Sequence, residues 1–511
     1  MEVSLSVPKV VAAKLEGSTV KRLGFSAPIR VACRVNWVGL KAIRAEIAVE
    51  KNREAFRKEM VQTRMPVELF VGLPLDTVSM TETINNEKAI SAGLRALKLL
   101  GVHGVELPVF WAVAQPNSPD EFNWSASLAV ADMVRCAGLR LRVSLNLNGC
   151  NRLNVPLPGW VLRAAEADPD ILFRVQSGAL HKDCLSFAVD ELSVLQGRKP
   201  IDVFESLFGS FQSAFKDYFG STITEITVSL GPNGELRYPS FPPASDSDEF
   251  TGVGEFQCHD KYTLAQLKRA AESAGNPLWG LAAPHDAPKY NESPNNSNFF
   301  KDHGGSWETP YGNFFLSWYS QQLLNHGDHL LSIASNVFGD LPVQLSAKVP
   351  LLHQWHEMRS RPAELTAGFF NAGGGDGYDA VAELFAKYDC MMVIPGMDKS
   401  GSNPEFLLQQ IKQACEKHGV QVSGENSTLA KKGTDNVRKI KENAQEGLKG
   451  FTYQRMGADF FSPEHWPLFR EFVSGMERRQ PDADDLPDGN GGRLSLSAGL
   501  ESGNNRKMQA A

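Results

Sequence analysis

From about residue 66 onward the chain repeats one pattern: a short run of β-branched and other apolar residues, a turn, then a longer stretch whose apolar positions have helical spacing. A short continuous apolar run reads as a buried strand, and apolar residues recurring every three or four positions read as one face of a helix. Eight strands are predicted: Val67 to Pro74, Gly104 to Phe110, Leu139 to Leu145, Ile223 to Leu230, Val343 to Val349, Asp389 to Ile394, Val420 to Ser423 and Gly450 to Tyr453. Helices are predicted over Asn86 to Leu100, Ala126 to Ala137, Asp202 to Tyr218, Lys261 to Ser273, Gly312 to Val337, Ala363 to Phe370, Pro404 to His418 and roughly Glu464 to Glu477. Eight strands alternating with helices imply an α/β fold of TIM type, a single (β/α)8 barrel with long loops at the C-terminal face of its strands.

Only at that face do residues of all eight units converge on one cavity. Asp76 follows the first run, Asn146 the third, Glu235 the fourth, Glu425 the seventh and Arg455 the eighth, while Lys348 ends the fifth. The connections from Pro239 to about Lys261 and from Pro284 to Tyr311 are long, and long ordered loops at this face shape a substrate cleft.

Composition adds exclusions. The chain has 511 residues, 42% hydrophobic and 22% charged, which suits a globular protein with a sizeable core. A net charge of -7 repels a phosphate backbone, and the best basic run, Lys431 to Lys441, is interrupted by Asp435, so nucleic acid is not expected as a partner. The seven cysteines are scattered and never form a CxxC pair, which argues against a disulfide scaffold and for a reducing compartment. No stretch approaches the roughly 20 apolar residues of a bilayer span, and no membrane association is expected. His326-Gly327-Asp328-His329 and His353-Gln354-Trp355-His356 lack carboxylate partners at metal-site spacing in the sequence, so neither a metal nor a cofactor is expected. Gly373-Gly374-Gly375-Asp376-Gly377 reads as a turn, and Trp111, Trp160, Trp318 and Trp355 as core or rim packing.

The first 44 residues carry eight Lys or Arg against only Glu2 and Glu16, with small residues and no long apolar core. That is the composition of an organellar transit peptide. The expected organisation is a transit peptide or disordered segment over 1–45, a lead-in over 46–65, the barrel over 66–476, and a polar tail over 477–511 that cannot bury enough apolar surface to order itself.

The sharpest local string is Gly231-Pro232-Asn233-Gly234-Glu235-Leu236-Arg237-Tyr238-Pro239-Ser240-Phe241, where glycines and prolines force a tight bend around one carboxylate at a strand end. A bland alternative has Glu235 simply pairing with Arg237. Val422-Ser423-Gly424-Glu425-Asn426 again sets a glutamate just past a strand. Two carboxylates facing across a cleft suit glycoside hydrolysis, one giving a proton to the leaving oxygen while the other takes a proton from water or attacks directly.

These strings, together with Leu73-Pro74-Leu75-Asp76-Thr77-Val78, Gly254-Glu255-Phe256-Gln257-Cys258, Pro284-His285-Asp286-Ala287, Ala363-Glu364-Leu365-Thr366-Ala367-Gly368 and Phe451-Thr452-Tyr453-Gln454-Arg455-Met456, resemble the plant β-amylases, glycoside hydrolase family 14. The resemblance runs from about Met65 to Phe472. It implies an inverting barrel enzyme that releases maltose from non-reducing ends of α-1,4-glucans in starch, with Glu235 at the general-acid position and Glu425 at the general-base position. Asp76, Lys348, His353, Asn426 and Arg455 match glucose-contacting or supporting positions.

Departures from the family fall around the cavity. Where the family reads S-F-H-x-C-G-G-N-V-G-D after its third strand, a mobile lid whose His and Asp hold sugar, this chain reads Ser144 to Pro156 with Asn146 at the histidine position, a shortened loop and no counterpart of the aspartate. Pro395 stands at the threonine of the loop after the sixth strand, and supplies neither a hydroxyl nor a backbone donor. Pro108 replaces an aspartate, Leu351 a glycine and Thr428 a leucine. The expectation is a plastid stromal protein of starch catabolism with lost or impaired hydrolysis. It would act by binding glucan or maltooligosaccharide, or a protein partner among starch-degrading enzymes such as an active amylase. The rival is a working maltose-releasing enzyme.

Overall fold

The eight apolar runs are buried on both faces, as strands must be when helices cover one side and a packed interior fills the other. The computed structural model describes residues 67–150, 153–241, 252–427, 434–445 and 447–477. The strands are β1 (Glu68–Gly72), β2 (Gly104–Phe110), β3 (Arg140–Asn146), β6 (Ile223–Val228), β7 (Gln344–Lys348), β8 (Met391–Ile394), β9 (Val422–Glu425) and β10 (Gly450–Tyr453). They form a closed parallel barrel in the order β1, β2, β3, β6, β7, β8, β9, β10. The barrel is sealed where β10 returns to β1, in the register Glu68↔Gly450 through Val71↔Tyr453. Each predicted strand is present. A short antiparallel pair, β4 (Leu172–Arg174) and β5 (Leu180–Leu185), stands outside the barrel and was not predicted.

Helices Glu87–Leu99, Ser125–Cys136, Pro200–Ala214, Lys261–Ser273, Pro310–Phe338, Ser402–His418 and Trp466–Glu477 match predicted ones within a few residues at each end. The helix predicted to Phe370 stops at Thr366, because Gly368 turns into the left-handed region (φ 102°) against the Tyr238 ring. Three longer helices, Gly159–Ala167, Gly377–Lys387 and Thr434–Gln445, were not predicted, nor was the single turn Trp111–Ala114. Asp376, expected in a turn, caps the second of these by accepting from the backbone N–H groups of Tyr378 and Asp379. Trp111 and Trp160 are buried, meet edge to face at 5.7 Å and belong to the core. The expected transit peptide over 1–45, the lead-in over 46–65 and the tail from 478 lie outside the described residues.

Side chains alternate along each strand, so every second residue points into the barrel. One buried layer there is polar. Arg142 Nε lies 2.8 Å from Glu225 Oε2, Arg142 Nη1 donates to Thr452 Oγ1 at 2.9 Å, and Ser346 Oγ donates to Glu225 Oε1 at 2.7 Å. The guanidinium also stacks 3.7 Å from the centre of the Phe70 ring. Gly450 leaves it room, since a Cβ at that position would collide with Arg142 Nη2.

Candidate active site

The bend carrying Glu235 is built from its own backbone. Gly234 N donates to Gly231 O at 2.9 Å and Glu235 N to Pro232 O at 3.1 Å, while Asn233 and Gly234 take positive φ of 57° and 82°. A side chain at Gly231 would meet the carbonyls of Glu235 and Arg237, at 2.6 and 2.8 Å from its Cβ. The bend docks on the end of β7, where Leu236 N donates to Lys348 O at 2.9 Å. Arg237 Nε donates to Glu235 Oε2 at 2.7 Å, so the pairing anticipated as the bland alternative is present.

Glu425 ends β9 and is buried. Lys348 Nζ contacts both of its oxygens, 2.9 Å from Oε1 and 3.0 Å from Oε2. Lys348 therefore links the two glutamates, with its backbone paired to the Glu235 bend and its ammonium on Glu425. A third carboxylate joins them. Glu106, on β2, lies 3.5 Å from Lys348 Nζ through Oε1 and accepts from Gln454 Nε2 at 2.5 Å and from Ser144 Oγ. Burial works to raise the Glu106 pKa, but Lys348, Arg455 and the two hydrogen bonds outweigh it and bring it down to about 2. For Glu425 burial prevails and, helped by the Glu106 charge, pushes its carboxyl above the ordinary range against the pull of Lys348 and Arg455. Burial disfavours the Lys348 ammonium, yet Glu106 and Glu425 together hold its pKa above the usual lysine value.

Glu106, Ser144 and Gln454 were not anticipated as site residues. The available signal was a lone carboxylate inside an otherwise apolar strand. Of the predicted residues, Glu235, Lys348, Glu425, Asn426 and Arg455 are brought together. Asn426 exchanges two hydrogen bonds with the Gln454 backbone, at 2.8 and 2.7 Å, and so ties the end of β9 to the end of β10. Arg455 Nη1 donates to Leu73 O at 2.7 Å. Asp76 is exposed on the loop after β1. His353 follows β7, and burial, with Lys399 and His356 adding to it, lowers its pKa to about 4, so the ring is neutral at pH 7.

Three positions that depart from the family lie at this mouth. Asn146 ends β3 and donates to Ser144 O at 3.2 Å. Beyond it Gly149 N donates to Asp183 O on β5 at 2.9 Å, and Cys150 and Val155 exchange backbone hydrogen bonds of 2.7 and 3.0 Å. The described ends of the connection are thus fastened to the β4–β5 pair and to each other, with Asn154 exposed at φ 53°. Asn151 and Arg152 lie outside the described residues. Pro395 opens a turn bolted to β9: Met397 N donates to Glu425 O at 2.9 Å, and Asp398 accepts from Ser427 N at 2.6 Å. Pro108 is buried in β2 opposite Ser144, Leu351 is buried, and Thr428 lies outside the described residues.

Several of the other quoted strings have structural contacts. Tyr238 stacks on Tyr319 at 4.0 Å, the Tyr319 hydroxyl accepts from Gln257 N at 2.9 Å, and Thr366 Oγ1 donates to Val253 O at 2.8 Å. His326 and His329 have a carboxylate partner that their spacing concealed, since both Nδ1 atoms meet Asp190 Oδ2, at 2.7 and 3.3 Å. Among the described residues, no three His, Cys, Asp or Glu side chains are grouped to hold a metal ion.

The chain is similar to known proteins in sequence and in fold. The sequence model of glycosyl hydrolase family 14 matches residues 70–481. Inactive β-amylase 9 of Arabidopsis thaliana is 49% identical over 458 residues, which cover 87% of this chain and 84% of that protein. The chloroplastic β-amylase 2 of Oryza sativa subsp. japonica is 37% identical over 462 residues, 86% of this chain and 82% of its own length. Among solved structures, the catalytic domain of a β-amylase from Paenibacillus polymyxa superposes with a TM-score of 0.66 at 24% identity, covering 80% of this chain and 99% of that one, a likeness of fold.

Proposed function

We propose, of a chain that belongs to glycosyl hydrolase family 14, that it serves starch breakdown in the plastid stroma with its hydrolysis lost or strongly impaired. In this reading it works by engaging α-1,4-glucan ends and a protein partner among starch-degrading enzymes, such as an active amylase. The observation that carries the reading is the turn after β3. A lid acts by closing over substrate, excluding water and fixing the reacting bond, and a misplacement of about 1 Å can cost on the order of 100-fold in rate. A connection fastened through Gly149 to Asp183 and closed between Cys150 and Val155 has little chain left with which to close. The name of the 49% identical Arabidopsis relative, which calls that protein inactive, supports the same reading, and the chloroplastic rice relative supports the compartment.

The retained pair of Glu235 and Glu425 favours a second reading, an inverting exo-hydrolase that releases β-maltose. There Glu235 would protonate the leaving oxygen and Glu425 would take a proton from the attacking water. Maltose release from soluble starch and maltopentaose, assayed beside Glu235→Gln and an active β-amylase, separates the two. Activity equal to the Glu235→Gln background is expected. Maltose whose release depends on Glu235 would instead establish the hydrolase.

A further inference from the structure

We propose that Glu106 is a positioning residue that holds the Lys348 ammonium on both oxygens of Glu425, so that a side chain fills the place where a general base would meet its water. The inference rests on reading Glu425 as the occupant of the base position. It starts from the charge balance of the cluster: two buried carboxylates, Glu106 and Glu425, stand against Lys348 and Arg455. Removing ions from water is costly unless each is paired and hydrogen-bonded, so such a cluster holds together only as a unit.

Glu106 is its most firmly fixed member. Ser144 Oγ donates to one of its oxygens and Gln454 Nε2 to the other, and Gln454 is itself held through its backbone by Asn426. Lys348 is the flexible member, a four-carbon stem from the end of β7 whose side chain keeps only 13% of its exposure. The immobile carboxylate on the far side of the barrel draws the ammonium inward, to 3.5 Å from Glu106, and there it lies 2.9 and 3.0 Å from the two oxygens of Glu425. An ammonium presents three donors and no acceptor, so it can satisfy Glu425 but cannot stand in for the water whose proton a general base takes as its oxygen attacks. The loss of turnover then has a cause inside the barrel besides the altered loops.

Competitive acetylation with acetic anhydride, read lysine by lysine by mass spectrometry, tests this on the full chain, with exposed Lys216 as reference. The unprotonated amine is the reacting form, so each unit by which an amine's pKa falls raises its rate about tenfold near neutral pH. Lys348 is expected to be strongly protected in the wild type. In Glu106→Gln, whose one oxygen still accepts from Gln454 while its NH2 group can donate to the Ser144 hydroxyl, the charge is removed, and the Lys348 rate should rise on the order of tenfold with Lys216 unchanged. Ser144→Ala, which loosens Glu106 without altering a charge, should give a smaller rise in the same direction. An unchanged Lys348 rate in both variants overturns the proposal. So does a rise shared equally by the half-buried Lys439, which marks general loosening. Maltose release by the wild type, measured on the same samples, would end the non-hydrolytic reading while the labelling result still decides the role of Glu106.

Discussion

The barrel contains two buried charged clusters, and their likeness is instructive. In the inner one Arg142 and Glu225 pair with each other and are held by Thr452, Ser346 and the Phe70 ring, and nothing about them points to chemistry. The cluster at the mouth contains Glu425, proposed above for the base position, yet its contacts are of the same kind: Lys348 on Glu425, Glu106 between Ser144 and Gln454, Arg455 on a carbonyl. A site kept for catalysis leaves donors and acceptors waiting for substrate, as pre-organised stabilisation of a transition state requires. At this mouth the protein satisfies many of them itself, with the kinds of contact that the inner cluster uses for packing.

Three measurements would break or sharpen the likeness. Arg142→Met should have the largest effect, a loss of about 3–5 kcal/mol in urea unfolding, because it strands the Glu225 carboxylate in the interior. Lys348→Met removes the equivalent cation from the mouth. Its cost should be about 1–3 kcal/mol, since Glu425 has a raised pKa already and can relieve the lost partner by taking up a proton. A cost as large as that of Arg142→Met would make the two clusters equally structural. The smallest effect concerns acid. The folded-state pKa of Glu106, about 2, lies below its ordinary value of 4.5, so the stability it contributes is complete above that value and is lost as pH falls from 4.5 toward 2. The stability difference between wild type and Glu106→Gln should therefore shrink by about 1–2 kcal/mol between pH 5 and pH 3, followed by urea midpoints. A constant difference would mean that Glu106 is not held ionised by its neighbours.

The eight strands were legible because a parallel strand buried on both faces leaves a continuous apolar run, which needs no knowledge of its neighbours. The β4–β5 pair was missed because it is short and its core-facing residues are mixed with His181, Lys182 and Asp183. The helix Thr434–Gln445 was read only as a basic run, since its composition is mostly polar. At the site, Glu235 stood out by its glycine- and proline-marked bend and Glu425 by the glycine before it at a strand end. Glu106 was not, because what gives it meaning is Lys348, 242 residues away in sequence, and no local pattern encodes a contact at that separation. The pairing of His326 with Asp190 was hidden in the same way, at a separation of 136 residues.

The seam between β1 and β10 bears on how the protein is made. The first strand leaves the ribosome early, but one of its two edges stays open until Gly450–Tyr453 has been synthesised. Over most of translation the nascent chain therefore carries a sheet with two unpaired edges, the kind of surface that recruits other chains. Gln454 and Arg455, which complete the mouth cluster, emerge directly after that last strand. Closing the barrel and neutralising its buried carboxylates would then fall in the same late stretch of synthesis. A chain that stopped before Gly450 would have neither, and its open strand edges would leave it prone to association and proteolysis.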